Sequence, residues 1–582
     1  MFKSVSNKIF LVAIVAFTTL VACSDSDEKG GTSAAFTAAD SLLSYVPADS
    51  PYVLASLAPL PDDVMDKLEP QIDRILESYE VLLQEIAVMA AAEVDGKGAD
   101  DEEAQKALAV VGELSTLMSL DGLRGAGIAR DSKAVIYGNG LLPVMRLELT
   151  DGALFEAALA RIEKSADEKM DVATISGNPV RYIAVEEMKI LIAVLDTQVV
   201  VSAAPTSFDD SQLSALLGFT EPASSITSTN VLQGIASKYD YNDYFVGYVD
   251  IVRIAETMTG DASGLDAALF EMAGGNDDMS DVCRAEIRSM AGVAPRMVMG
   301  YTDISTERFD SQIVFEMRED IAKGLTAWPT AVPGLGGDPG GLMSFGMSID
   351  VMAVREFYEE QLDAMEADPY ECEYFADLQA GVAQGRMALQ QPMPPMVYDF
   401  RGMVGIIQDI EGLDMAAQTP PTSVDGQFLF AMDNAPALVS LGTMMSPELA
   451  GLNLQADGEP VLLDLPQAQM LGGDVYLAMT DDAVAMSVGD GAEDELGDML
   501  SADAKENGTF FSFSMDAGRY YSFMGEAMAM AEDDDDNPMS PKFQAAMQDM
   551  MLAVAEIYDR MSVDVRFTED GIVIDSGVTL GD

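Results

Sequence analysis

Two stretches of this sequence repeat each other and decide how the chain is organised: Phe245-Val-Gly-Tyr-Val-Asp-Ile-Val-Arg253 and Phe511-Ser-Phe-Ser-Met-Asp-Ala-Gly-Arg519. Both place Phe, Asp and Arg at the same spacing, and they lie 266 positions apart. The same offset relates Tyr301-Thr302 to Phe567-Thr568. Self-similarity at a fixed distance indicates a duplicated structural unit.

A further pair of matching segments lies upstream. Residues 192–202 match residues 477–487 at an offset of 285, and a longer connection near residues 218–241 accounts for the difference. Several blocks in the same order predict two tandem copies of one fold, at residues 40–320 and 330–582.

The strand and helix patterns predict an α+β fold, with an antiparallel sheet and helices packed on one face in each copy. Short apolar strands at residues 180–184, 190–195 and 199–203 are separated by turns, and parallel neighbours would need long crossovers instead. Apolar residues at helical spacing predict long helices over residues 62–92 and 103–118, followed by a strand over residues 126–137.

The N-terminus carries a processing motif. Lys3 and Lys8 precede an apolar run of 13 residues that leads into Leu20-Val-Ala-Cys23. This string resembles the lipobox of bacterial lipoprotein precursors. The resemblance implies removal of a signal peptide, residues 1–22, and attachment of lipid, including palmitate, to Cys23. The alternatives are cleavage at another site or a short membrane anchor, although a span needs about 20 apolar residues.

The residues after Cys23 suggest where the protein is placed. Ser24 stands where Asp often retains lipoproteins of Gram-negative bacteria in the inner membrane, so the resemblance implies the outer membrane, facing the periplasm. Residues 23–39 are small and polar and predict a flexible tether. The opening of the folded part, residues 46–56, resembles domain starts in uncharacterised families of secreted bacterial lipoproteins and implies no activity.

The charge balance is strongly acidic, with 98 Asp and Glu against 32 Lys and Arg and a net charge of −66. Such a field repels nucleic acid and attracts cations and basic protein surfaces, which leaves envelope proteins as candidate partners. The alternative is that the acidic surface keeps the chain soluble in a salty environment. A weak divalent-cation site is one interpretation of the acidic run, and a solvated loop is the other. The run comprises Asp533, Asp534, Asp535 and Asp536.

The mature chain contains no histidine, which removes the usual general base near neutral pH and predicts a protein without catalytic activity or cofactor. The repeated pair, Asp250 with Arg253 and Asp516 with Arg519, is interpreted as a structural helix cap rather than a catalytic acid with its cation.

Two cysteines follow Cys23 in the sequence. Cys283 and Cys372 either form a disulfide, which an envelope compartment permits, or remain two separate buried thiols.

These features favour a non-enzymatic outer-membrane lipoprotein with a binding or scaffolding role in the periplasm. The alternative is a carrier or chaperone for a hydrophobic ligand, lipid or unfolded polypeptide, because the chain has 39 methionines and Met adapts to irregular apolar shapes. A hydrolase that uses paired carboxylates is the third hypothesis.

Overall fold

The computed structural model describes residues 42–93, 102–117, 119–167, 169–260, 264–272, 279–337, 340–412, 422–445, 451–452, 454–463, 473–489, 491–504, 508–530 and 540–581. The first half of the chain has the elements β1 (Tyr52–Ser56), α1 (Asp62–Glu93), α2 (Glu102–Ser115), α3 (Leu120–Gly125), β2 (Ala134–Asn139), β3 (Leu142–Glu148), α4 (Gly152–Ala166), β4 (Asp171–Ile175), β5 (Asn178–Val185), β6 (Met188–Val194), β7 (Gln198–Pro205), α5 (Asp210–Leu216), α6 (Val231–Tyr239), β8 (Val246–Asp250), α7 (Ile251–Thr259), α8 (Asp266–Met272), α9 (Asp281–Ala291), β9 (Arg296–Ile304), β10 (Arg308–Glu316) and α10 (Glu319–Leu325).

The second half also alternates strands and helices. Its elements are β11 (Met343–Ser348), α11 (Val351–Ala367), α12 (Ala376–Gln390), α13 (Pro395–Asp399), β12 (Phe400–Glu411), β13 (Ser423–Met432), α14 (Ala435–Met445), β14 (Val461–Leu462), β15 (Val475–Met479), β16 (Ala483–Val488), α15 (Ala492–Ser501), β17 (Thr509–Asp516), α16 (Ala517–Met530), α17 (Pro541–Ile557), β18 (Tyr558–Thr568) and β19 (Gly571–Leu580).

Every strand pairing in the described residues is antiparallel, and the predicted α+β class is confirmed. Neighbouring strands in the first half run β4-β5-β6-β7-β3-β2-β1-β8-β9-β10. Those in the second half run β14-β15-β16-β13-β12-β11-β17-β18-β19. Strand β10 pairs with β19 from Arg308↔Thr579 to Glu316↔Gly571, which joins both series into one sheet.

Helices cover both faces of the first-half sheet, so the predicted packing on one face is wrong there. Val144 and Val200 lie on one face and pack in a core with α5 and α6. Leu147 and Val199 lie on the opposite face and pack in a second core with α4. Because successive side chains of a strand point to opposite faces, strands that are apolar on both sides need cover on both.

The second half has a helix-covered core on each face, so the predicted packing on one face is wrong here as well. On one face Phe567 of β18 packs with Leu325 of α10 and Phe357 of α11. The other core lies on the opposite face. Leu429 and Ala485 pack there with Leu496 of α15. On the face of Phe567, Phe430 is 41% exposed and Phe511 is 37% exposed. The second half therefore presents aromatic surface on strands whose other side is buried.

The two halves also exchange helix contacts beyond the β10–β19 pairing. Arg74 of α1 forms ion pairs with Asp549, at 2.8 Å, and Glu556, at 2.9 Å, on α17 of the second half. A second contact between the halves is a disulfide. It joins Cys283 of α9 to Cys372, which lies between α11 and α12 of the second half, with a Cα–Cα distance of 4.6 Å. The disulfide interpretation of these two cysteines therefore holds, and the bond cross-links the two halves in addition to the main chain.

Two predicted helices and one predicted strand can be compared directly with the structure. The predicted helices at residues 62–92 and 103–118 are present as α1 and α2. The predicted strand at residues 126–137 begins only at Ala134. The short helix α3 precedes it, and turn hydrogen bonds occupy the backbone after the helix, because the Ala126 and Ile128 N–H groups donate to the Gly122 and Leu123 carbonyls. Gly127 then turns the chain with a φ of 82°, a conformation that glycine adopts without strain.

Candidate functional site

A polar cleft of about 350 Å³ opens at one end of three neighbouring interior strands, where β8 and β10 end and β9 begins. Its position at the ends of three neighbouring strands brings together residues that are far apart in sequence. The cleft is lined by Asp250, Val252, Arg253, Glu256, Pro295, Arg296 and Glu316.

The predicted pair Asp250 and Arg253 forms one wall of this cleft. Asp250 is the N-cap of α7, and its Oδ1 accepts a hydrogen bond from the Arg253 backbone N–H at 2.8 Å. This is the helix cap that the sequence predicted, and such a cap contributes about 1 kcal/mol to helix stability. The guanidinium of Arg253 has only long contacts within the described residues, 3.9 Å to Asp250 Oδ2 and 3.5 Å to the Ala48 carbonyl.

Glu316 organises the opposite wall. Its carboxylate accepts two hydrogen bonds from the guanidinium of Arg296, at 2.7 and 3.1 Å. The Tyr239 hydroxyl donates to Glu316 Oε1 at 2.6 Å, and the Lys238 ammonium donates to the same oxygen at 3.0 Å. Lys238 also pairs with Asp570 of the second half at 2.7 Å, so this cluster spans the junction between the halves.

These contacts set the charge states of the cluster. Partial burial acts to raise the pKa of Glu316, but hydrogen bonds from Arg296, Tyr239 and Lys238 outweigh it and lower the pKa to about 2. Burial and the neighbouring Glu316 carboxylate both raise the pKa of Tyr239. Glu316 is therefore an anion, and Tyr239 a neutral hydrogen-bond donor, across the physiological pH range.

The second predicted pair, Asp516 and Arg519, has the same cap but a different surrounding. Asp516 Oδ1 accepts a hydrogen bond from the Arg519 N–H at 2.8 Å. The guanidinium of Arg519 pairs with Asp409 of β12 at 2.6 Å. Arg519 is therefore held by a strand carboxylate, whereas Arg253 is not.

An arginine on the neighbouring strand completes each pair, and the sequence predictions missed it. Arg296 lies opposite Asp250 in the β8–β9 register, and Arg560 lies opposite Asp516 in the β17–β18 register. The two arginines are 264 positions apart, close to the 266 of the repeated stretch, so this offset was a usable signal. Glu316 had no such signal. It lies opposite Arg296 in the β9–β10 register, whereas the residue opposite Arg560 in the β18–β19 register is Thr579, which is not an acid.

A separate buried cluster surrounds Arg146, which no sequence motif marks. Its side chain is fully buried, and its guanidinium donates to Gln198 Oε1 at 2.6 Å, to the Tyr137 hydroxyl at 3.3 Å and to the Leu217 carbonyl. The guanidinium also lies 3.9 Å from the centre of the Tyr45 ring. None of these partners is a carboxylate, so neutral oxygens and an aromatic face hold this cation.

Two of the predicted sites fall outside the described residues, namely the lipidation site Cys23 and the acidic run from Asp533 to Asp536. Within the part of the chain that the structure describes, no group of acidic or cysteine side chains is placed to hold a metal ion. The described helices include none with the length and apolar character that crossing a bilayer requires.

Comparisons with protein-family models, with curated proteins and with solved structures find no match to this chain. The geometry of the cleft is therefore the basis for a functional proposal. Guanidinium and carboxylate groups side by side can bind and orient a polar ligand through charge-assisted hydrogen bonds.

Proposed function

We propose that the chain is a lipid-anchored, non-enzymatic binding or scaffolding protein of the bacterial outer membrane, facing the periplasm and attached through Cys23. The observation that carries this proposal is the pairing of β10 with β19, which joins the two halves in one continuous sheet. The polar cleft beside this junction suits the positioning of a partner, because its lining residues are held by hydrogen-bonded strands and by the capped helix α7, and a preorganised site loses little conformational entropy on binding.

The proposal includes an internal duplication, in which the two halves are tandem copies of one fold. The matching strand orders support it, as do the Asp and Arg residues that recur on corresponding strands. Duplication followed by divergence accounts for one copy, with Arg253, keeping a loosely held guanidinium while the other copy pairs Arg519 with Asp409.

The test of the binding role is affinity capture of the native lipidated protein from detergent-solubilised envelopes after chemical crosslinking. We expect one or a few envelope proteins in stoichiometric amounts. Capture with the Arg253→Gln variant reports whether the cleft takes part, and Arg519→Gln is the matched control. Recovery of no stoichiometric partner under several crosslinking conditions would contradict the scaffolding role.

A specific observation also favours the second candidate, a carrier or chaperone for a hydrophobic ligand. Phe345 and Phe428 contact each other with ring centres 6.3 Å apart, on the sheet face where Phe430 and Phe511 are exposed. Met347 and Met403 are register partners on the same face. Exposed apolar patches of this kind mark binding surfaces for apolar partners.

The carrier role predicts that a fluorescent fatty acid binds this face. Phe430→Ser should weaken binding of the probe, whereas Val172→Ser, which alters an exposed apolar residue on β4, should not. Equal binding by the two variants and the wild-type protein would remove this candidate and leave the scaffolding role standing.

A further inference from the structure

The guanidinium of Arg253 is placed to receive a ligand. Its side chain is 38% exposed at the lip of the cleft, and its ion-pair distance to Asp250 is 3.9 Å. The corresponding arginine of the second half, Arg519, is paired with Asp409 at 2.6 Å. A guanidinium that lacks such a tight partner can accept a carboxylate in a bidentate geometry.

A carboxylate lies next to this guanidinium on the same helix. Glu256 is exposed, lines the same cleft, and follows Arg253 by three positions in α7. Residues three apart on a helix are surface neighbours, with Cβ atoms about 5–6 Å apart. The cleft thus presents a positive and a negative group side by side.

The other charged groups of the cleft already have partners within the protein, although Asp250 keeps its negative charge, with Oδ2 3.9 Å from the Arg253 guanidinium. Glu316 is bound by Arg296, Tyr239 and Lys238, and Asp250 Oδ1 caps the helix. Arg253 and Glu256 are therefore the groups that an incoming ligand would meet.

The net charge of the chain narrows the ligand class. The net charge of the chain is −66, so its electrostatic field repels a simple anion. A zwitterion, which carries a cationic group as well, has no net charge and is not repelled overall. The cleft volume of about 350 Å³ lies at the small end of the usual range for small-molecule sites, about 300–1,000 Å³.

We propose that this cleft binds a small zwitterion of the amino acid or short peptide class, with its carboxylate on Arg253 and its ammonium group on Glu256. The proposal rests on the binding role proposed above and names a ligand class for it.

Isothermal titration calorimetry of the full-length protein at low salt tests the assignment with four probes. These are alanyl-alanine, its N-acetyl form without the ammonium group, its C-terminal amide without the carboxylate, and inorganic phosphate. We expect alanyl-alanine to bind, and each blocked form to bind at least about tenfold more weakly, since each loses one charge-assisted contact.

Variants separate the cleft from other sites. Arg253→Gln and Glu256→Gln should each weaken alanyl-alanine binding by about tenfold or more, whereas the matched Arg519→Gln should bind like the wild type. The assignment is overturned if alanyl-alanine does not bind, if Arg519→Gln loses as much as Arg253→Gln, or if phosphate binds as tightly as the dipeptide. If these outcomes occur while envelope capture still recovers a partner, the ligand class is wrong and the binding role stands.

Discussion

Arg146 of β3 and Leu429 of β13 occupy corresponding positions in the two halves of the sheet, and both side chains are fully buried. Around Arg146 lie Tyr137 and Gln198, which are polar. The positions around Leu429 that correspond to these two are apolar. The register pairs that define the correspondence are Arg146 with Val135 and Val200, and Leu429 with Val404 and Ala485.

Replacing Arg146 with leucine should destabilise the first half although the second half uses leucine at this position. The substitution leaves Gln198 and the Leu217 carbonyl buried without their donor, and each such loss costs about 1–3 kcal/mol. We expect the free energy of unfolding to fall by about 2–4 kcal/mol, measured by urea denaturation.

The triple variant Arg146→Leu, Gln198→Ala, Tyr137→Ile is the control for this reasoning. It reproduces the residues of the second half, which are Leu429, Ala483 and Ile406. Replacing a buried polar cluster by apolar residues of suitable shape is often neutral, so the triple variant should recover most of the lost stability. Equal destabilisation of the single and triple variants would show that packing, rather than unpaired polar groups, is responsible.

The Glu316 cluster should make stability depend on pH in the acid range. The pKa of Glu316 falls from an ordinary 4.5 to about 2 on folding, so its ionised form stabilises the native state above pH 4.5. This contribution, on the order of 3 kcal/mol, is lost progressively as the pH falls from 4.5 to 2.

The measurement is the unfolding free energy of the wild type minus that of Glu316→Gln, determined from pH 7 down to pH 2. The difference should be constant near neutrality and shrink below pH 4.5. A Glu307→Gln variant, which changes an exposed acid in the β9–β10 turn, provides the baseline for the many other carboxylates. A difference that stays constant down to pH 2 would show that the Glu316 cluster does not cause the loss of stability in acid.

Removing the disulfide should weaken the link between the halves. Cys283 and Cys372 are 89 positions apart, and closing a loop of this size stabilises by about 4–5 kcal/mol in the chain-entropy model. The double variant Cys283→Ser, Cys372→Ser should therefore unfold at a lower urea concentration. An unchanged midpoint would mean that the β10–β19 pairing and the helix contacts already hold the halves together without it.

The proposed lipid anchor at Cys23 is testable by fractionation. Cys23→Ala should release the protein from membranes into the soluble envelope fraction, because the acylated sulfur would be absent. Ser24→Asp should keep the protein membrane-bound and move it toward the inner membrane. Membrane association that survives Cys23→Ala would eliminate lipidation at this residue.

Much of the fold could be predicted because its signals are local. The spacing of Asp250 and Arg253 predicted a strand that ends in a capped helix, and the α+β class followed from short strands between turns. The apolar run of β7 indicates burial on both faces, and this signal was missed. Which helix packs on each face could not be predicted, because these contacts join segments that are distant in sequence.

The walls of the cleft were less predictable for a related reason. Glu316 lies 20 positions from Arg296 and 78 from Lys238. The pairing of β9 with β10 places Arg296 beside Glu316, and the packing of α6 on these strands brings Lys238 to the same carboxylate. Arg146 lies within an apolar strand, and its partners come from β2, β7 and the segment after α5. Contacts of this kind depend on register, which a single sequence leaves open.

The β10–β19 pairing has a consequence for self-association. Each half alone would end in a strand of nine or ten residues with unpaired backbone groups, a template on which further copies could add to form a filament. Because β10 and β19 pair with each other, the backbone groups of both strands are hydrogen-bonded and no further strand can add there. The outer edges of the described sheet are β14, with two residues, and β4, which begins with the exposed Asp171. On a membrane surface, where we propose that Cys23 anchors the chain, copies would meet often, and this arrangement ends strand addition at the second unit.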